Sequence, residues 1–176
     1  LALIIAVSLG LGAEIKPLAG DVIRLEVFKT GLMRGKKHIF EFPAYSGTLS
    51  ADRSSLEISL ESAKIELKDD WLKDSDLKKV LEFTLKDMLD ASRHPRITFR
   101  STKVEIAGQQ ATAQGILTIR GISKPATLSI RESSPGVYEG GAKVDMREFN
   151  LKPPSAALGA VGTDPNLVLS FRLTVR

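Results

Sequence analysis

From residue 21 onward the dominant signal is apolar residues recurring at every second position, the mark of extended strands with one hidden face. Ile23, Leu25 and Val27 share one phase, as do Leu56, Ile58 and Leu60, and then Leu117 and Ile119. Ala126, Leu128 and Ile130 follow, then Ala142, Val144 and Met146, and last Leu167, Leu169, Phe171, Leu173 and Val175. Twice the phase slips. Ala63, Ile65 and Leu67 continue the 56–60 set from the other parity, and Val104 and Ile106 do the same after Ile97 and Phe99. One inserted residue near Ser62 and one near Thr102 therefore predict a β-bulge or a sharp bend within each long strand. Segment 38–49, carrying Phe40, Phe42 and Tyr45, reads as a further strand in which Pro43 requires an edge or irregular position.

Gly108, Gly121, Ser134-Pro135-Gly136 and Gly162-Thr163-Asp164-Pro165 supply turns between these runs. One segment departs from the pattern. Leu77, Val80, Leu81, Leu85, Met88 and Leu89 recur at helical spacing and predict one amphipathic helix over about 74–90. Asp74 or Ser75 is its expected cap, and His94-Pro95 prevents its continuation. Antiparallel strands must form a sandwich or close on themselves to hide their edges, and long bulged strands suit closure. The expected fold is all-β with one helical insertion, an antiparallel eight-stranded β-barrel over residues 15–176. A barrel of that size holds side chains or one small ligand.

Residues 1–13, LALIIAVSLGLGA, carry no charge and are nearly all apolar or small. They fall short of the roughly 20 residues of a membrane-spanning helix and match the roughly 7–15 of a secretory hydrophobic region. They are read as the remnant of a truncated signal peptide, so the expected location is periplasmic or secreted. A buried N-terminal strand or helix is the alternative.

Composition then limits the chemistry. With no cysteine and only two histidines, thiolate metal sites and cysteine nucleophiles are excluded, and no His-x-His or HExxH spacing offers a metal site. Asp69 and Asp70 are adjacent, point apart in any regular strand, and cannot act as a carboxylate pair. No serine sits in a nucleophile-elbow context and no glycine-rich phosphate loop is present. No catalytic residue, metal or cofactor is therefore nominated. The net charge of +4 comes from basic residues that alternate with acidic ones and lack interleaved aromatics, which argues against nucleic acid. Arg34, Lys36, Lys37 and His38 form the densest basic cluster, either a seat for a phosphate or carboxylate headgroup at a barrel mouth or a solvated loop. Trp71, the only tryptophan, covers one end, lines the ligand entrance, or simply packs. His94 stands where it can interact with the helix C-terminus.

Two stretches carry a resemblance. SRHPRITFRSTKVE (92–105) and GILTIRGISKPATLSI (115–130) resemble the paired signature of the YceI-like family, in which a Pro-x-Ile-x-Phe-x-Ser strand precedes a Gly-x-Leu-Thr-Ile-x-Gly-x-Ser-Lys-Pro strand and turn. Gly47-Thr48-Leu49, Arg147-Glu148-Phe149 and Val161-Gly162 support it in the same order, so that it extends over about 21–175. The usual Asp-x-x-His-Ser start of the first strand is absent, and the loop at 150–154 differs from the commoner form. The resemblance implies an extended lipocalin-like barrel, exported, that binds a polyisoprenoid or similar long-chain lipid, an isoprenoid quinone among the candidates, without catalysis.

On this reading the inward-facing lumen candidates are Leu25, Val27, Ile58, Leu60, Phe99, Leu117, Ile119, Leu128, Val144, Leu169 and Phe171. Each could equally be plain core. Three functions stay open: an exported carrier of a long apolar chain, an interaction module whose barrel is filled by side chains, and a lipid-modifying enzyme resting on His38 or His94. Transient membrane contact and a homodimer also stay open.

Overall fold

The computed structural model describes residues 12–176, so all of the expected export segment except Gly12 and Ala13 lies outside the described residues. Twelve antiparallel strands are present: β1 Ala13–Ile15, β2 Val22–Gly31, β3 Lys37–Glu41, β4 Tyr45–Leu49, β5 Leu56–Glu61, β6 Glu66–Leu67, β7 Arg96–Ala107, β8 Gln110–Ile119, β9 Ile122–Ser134, β10 Val137–Asp145, β11 Val161–Thr163 and β12 Asn166–Thr174. They reduce to eight staves, because four staves are each broken into two. Proline stands in three of the breaks: Pro17 between β1 and β2, Pro43 between β3 and β4, and Pro165 between β11 and β12. Lacking an N–H, proline cannot continue a ladder. The fourth break, between β5 and β6, is the 3-10 turn Ser62–Lys64.

The ladders close the eight staves into a ring. β3 pairs with β2, placing Phe40 opposite Leu25, while β4 pairs with β1 on the same side. Across the other side of that stave, Tyr45 faces Leu60 of β5 and Phe40 faces Leu67 of β6. The order continues through β7, β8, β9, β10 and β12, and β12 returns to β2 with Leu169 opposite Leu25 and Phe171 opposite Ile23. The eight-stranded barrel expected from periodicity is thus present; the count of twelve reflects the breaks. One ladder is incomplete. β10 pairs with β9 only over Val137–Gly141 of its length, and where that ladder stops, the 3-10 turn at Met146–Phe149 buries Met146 and Phe149.

Both phase slips are real, but they differ in kind. β7 carries a bulge between Ser101 and Lys103 against β8, at the expected Thr102. At Ser62 there is a 3-10 turn rather than a one-residue bulge, so Ser62 is buried, Ala63 is exposed, and the inward set resumes only at Ile65. The helix α1 spans Asp74–Phe83 and continues as a π-type turn through Thr84–Met88, which together cover most of the expected range. Lys73 precedes it without a side-chain cap, so Asp74 and Ser75 lie inside the helix; Asp74 and Asp76 occupy its first turn, where the dipole favours anions. Val80, Leu81, Leu85 and Met88 lay its apolar stripe on the barrel core.

Two inward glycines make room for aromatic rings. A Cβ at Gly115 would stand 2.7 Å from Phe99 Cζ, and one at Gly140 would stand 2.7 Å from Phe171 Cζ. Any side chain there would displace a ring or bend a strand.

Candidate binding site in the barrel lumen

The inward faces of the staves enclose two apolar cavities, of about 140 Å³ and about 310 Å³. The first is walled by Ile58, Leu60, Phe99, Leu117 and Leu128 together with Val144, Leu169 and Phe171. The second is walled by Leu25, Val27 and Ile119, by Phe40 and Phe42 of the bent stave, and by Val80, Phe83 and Met88 of the helical segment. Every one of the eleven residues nominated from alternation lines one cavity or the other. Ile97 alone lines both, so it forms the partition between them.

The basic cluster behaves differently from its sequence neighbours in the lumen. Arg34 is exposed in the β2–β3 turn. Lys37 points outward, pairs with Glu26 and lies over the Phe28 ring, 5.6 Å from its centroid. Lys36 sits 5.7 Å from the Trp71 ring centroid. None of the three lines either cavity, so alternation splits the cluster and sends only His38 inward. His38 Nδ1 lies 2.5 Å from Asp69 Oδ2, and the other Asp69 oxygen accepts the Ile39 N–H at 2.8 Å. Asp69 is buried where its neighbour Asp70 is exposed. Trp71 stacks on the His38 ring with centroids 5.4 Å apart and donates its indole N–H to Lys37 O at 2.9 Å. It backs His38 rather than lining the entrance. His94 lines neither cavity.

Alternation also places polar residues inside that were not nominated. Lys29 continues the phase of Ile23, Leu25 and Val27 and enters the wall of the second cavity, where its ammonium donates to Thr163 Oγ1 at 3.4 Å. Burial holds the Lys29 ammonium below its ordinary pKa, since the charged form loses water. Glu132 continues the phase of Leu128 and Ile130 and reaches the rim of the first cavity, where it pairs with Arg53 at 2.9 Å. The Gly136 N–H and then Arg53 keep its carboxyl below the usual range. Arg53 also lies over Tyr138, 5.8 Å from the ring centroid, so this rim is polar but charge-compensated. Parity in the sequence already marks Lys29 and Glu132 as inward, since each shares the phase of the apolar set that precedes it.

The arrangement can enclose apolar matter in two compartments with polar groups at their rims. Among the described residues His38 is held by Asp69 and Trp71, and the Thr84 hydroxyl donates to Val80 O at 2.8 Å.

Comparison with known proteins agrees with this architecture. A UPF0312 protein of Pseudomonas aeruginosa is 31% identical over 93 residues, covering 48% of this chain and 47% of that protein. The chain therefore spans about half the length of that relative. Among solved structures, a polyisoprenoid binding domain from Saccharophagus degradans matches with a TM-score of 0.64 at 9% identity, covering 93% of this chain and 98% of that one. Burkholderia cenocepacia BcnA matches with a TM-score of 0.61 at 18% identity, covering 86% and 94%. At such identities these two likenesses speak for the fold alone. The sequence pattern of the YceI-like domain runs through residues 22–174, from the first full stave to the last, and with the ring of eight staves around one lumen it places this chain in the YceI-like family.

Proposed function

We propose that this protein is a non-enzymatic carrier that acts after export, in the periplasm or beyond, and holds a polyisoprenoid or similar long apolar chain in its lumen. The observation that carries the reading is the pair of apolar cavities inside the ring, walled by alternating side chains from almost every stave. A related fold from Saccharophagus degradans is described as polyisoprenoid binding, which supports the same ligand class here. Burial of about 0.8 kcal/mol per methylene lets a few isoprene units offset an association cost of roughly 4–15 kcal/mol, so no reactive group is required. Leu32 and Leu158, exposed on adjoining turns joined by the Leu32 N–H to Ala160 O bond, support transient contact with a lipid surface during loading.

Purification from a bacterial host, organic extraction and mass spectrometry test the reading. A long-chain lipid in stoichiometric amount is the expected result. A clean blank, together with no uptake of added prenyl alcohols, rules the carrier out in favour of an interaction module. The His38–Asp69 pair at the second cavity is the one feature that favours a lipid-modifying enzyme, since a carboxylate-oriented imidazole can serve as a general base. Turnover of a bound lipid that is lost in His38→Gln would establish that alternative.

A further inference from the structure

The two compartments differ in charge. The first carries Arg53 and Glu132 at its rim, and these neutralise each other. The second has twenty wall residues, of which five are polar and none is acidic: Lys29, His38, Lys79, Thr84 and Thr163. Three of the five are engaged elsewhere. His38 is held by Asp69, the Thr84 hydroxyl donates to the Val80 carbonyl, and Lys79 reaches Asp76 at 3.5 Å on the exposed side of α1.

Lys29 and Thr163 remain. They are register partners, Lys29 on β2 facing Thr163 on β11, and the ammonium touches the hydroxyl at 3.4 Å. That contact uses one ammonium hydrogen and a lone pair on Thr163 Oγ1, leaving two N–H groups and the hydroxyl hydrogen free to donate. Lys29 makes no ion pair among the described residues, whereas Lys37, on the neighbouring strand β3 and on the outer face, is matched by Glu26. A half-buried lysine facing an apolar cavity with no counter-ion is unfavourable for the empty protein. Its ammonium is held below the ordinary range by desolvation alone, with no carboxylate contributing. A group that restores the missing negative charge would relieve this.

We propose that Lys29 and Thr163 form the headgroup site of the lumen, and that the chain carried there ends in an anionic group, a carboxylate or a phosphate ester. This rests on the carrier reading and adds a polarity to it: headgroup at the Lys29 end of the second cavity, tail directed toward Ile97. Charge-assisted hydrogen bonds in a water-poor site distinguish such a ligand from the corresponding alcohol by about tenfold or more in affinity.

Binding of farnesol, farnesyl phosphate and inorganic phosphate to the full protein, by calorimetry or tryptophan fluorescence, tests this. The expected result is that farnesyl phosphate binds about tenfold or more tightly than farnesol. Lys29→Met brings the two within about twofold, and Thr163→Val weakens the phosphate ester several-fold. A far-UV circular dichroism spectrum and a thermal midpoint close to those of wild type show that the variants are folded. Equal affinities in the wild type, or a preference that survives in Lys29→Met, overturn the headgroup assignment and leave the carrier reading standing. Inorganic phosphate competing as tightly as the ester would mean a free-anion site and overturn the lipid assignment. If neither farnesol nor its phosphate binds, the carrier reading fails and the headgroup site fails with it.

Discussion

The ring of Phe171 lies where a side chain at Gly140 would have to go: a Cβ there would stand 2.7 Å from Phe171 Cζ and 2.1 Å from the carbonyl oxygen of Ser129. The stave containing β10 thus gives up a side chain so that an aromatic ring from β12 can fold against its backbone and form part of the lumen wall. Gly140→Ala is expected to destabilise the protein by about 1–3 kcal/mol, the usual cost of overpacking. The denaturant midpoint measures it; an unchanged midpoint would show that the strand can move aside.

Asp69 satisfies two donors at once, the Ile39 N–H and the His38 ring. Asp69→Ala leaves the part-buried Ile39 amide without its acceptor and is expected to cost about 1 kcal/mol. Amide hydrogen exchange at Ile39 should accelerate in the variant, with little change at Leu117 on the far side of the ring. Equal protection at Ile39 in both proteins would show that the carboxylate has no such role.

Ile97 is the shared wall of the two cavities. Ile97→Ala is expected to lose about 2–5 kcal/mol of stability through the space it creates, and to join the compartments. Binding of prenyl alcohols of increasing length should then shift toward longer chains. A length profile identical to wild type would mean that the two cavities already act as one or that only one is used.

Asp52 accepts hydrogen bonds from the hydroxyls of Ser50 and Ser54, both at 2.7 Å, and from the Ser54 N–H at 3.0 Å. These bonds, led by that of the Ser54 hydroxyl, lower its carboxyl from 3.8 to about 2. Because the folded value is the lower one, the contribution to stability is present above 3.8 and is lost as the pH falls from there toward 2. The advantage of wild type over Asp52→Asn in thermal unfolding should therefore shrink across that window, and NMR titration of the carboxyl should give its midpoint. A midpoint near 3.8 would show that the turn does not hold its bonds in solution.

Much of the barrel could be read from parity. Leu25, Leu117 and Leu169 face inward because a strand alternates its side chains, and the break at Pro43 follows from one missing N–H. The turn at Ser62–Lys64 was legible only as a slip of phase, because a bulge and a 3-10 turn shift parity alike and only the ladders on either side distinguish them. Adjacency in the chain does not fix where the basic cluster points, for a related reason. Arg34, Lys36, Lys37 and His38 are neighbours in the chain, yet a turn and a period of two send them to different faces.

By itself the sequence determined which residues share a face, because side-chain direction along a strand is a local property of the backbone. Lys29 and Glu132 belong to the inward set on that ground alone. Only the tertiary structure decided that the staves close through β12 and β2, that Ile97 divides the lumen, and that Asp69 meets His38 across 31 positions of chain. It also set Thr163 beside Lys29 with no acid in the surrounding wall. Such pairings depend on the register of ladders between distant segments, which alternation does not specify, and on which residues happen to face them across the lumen.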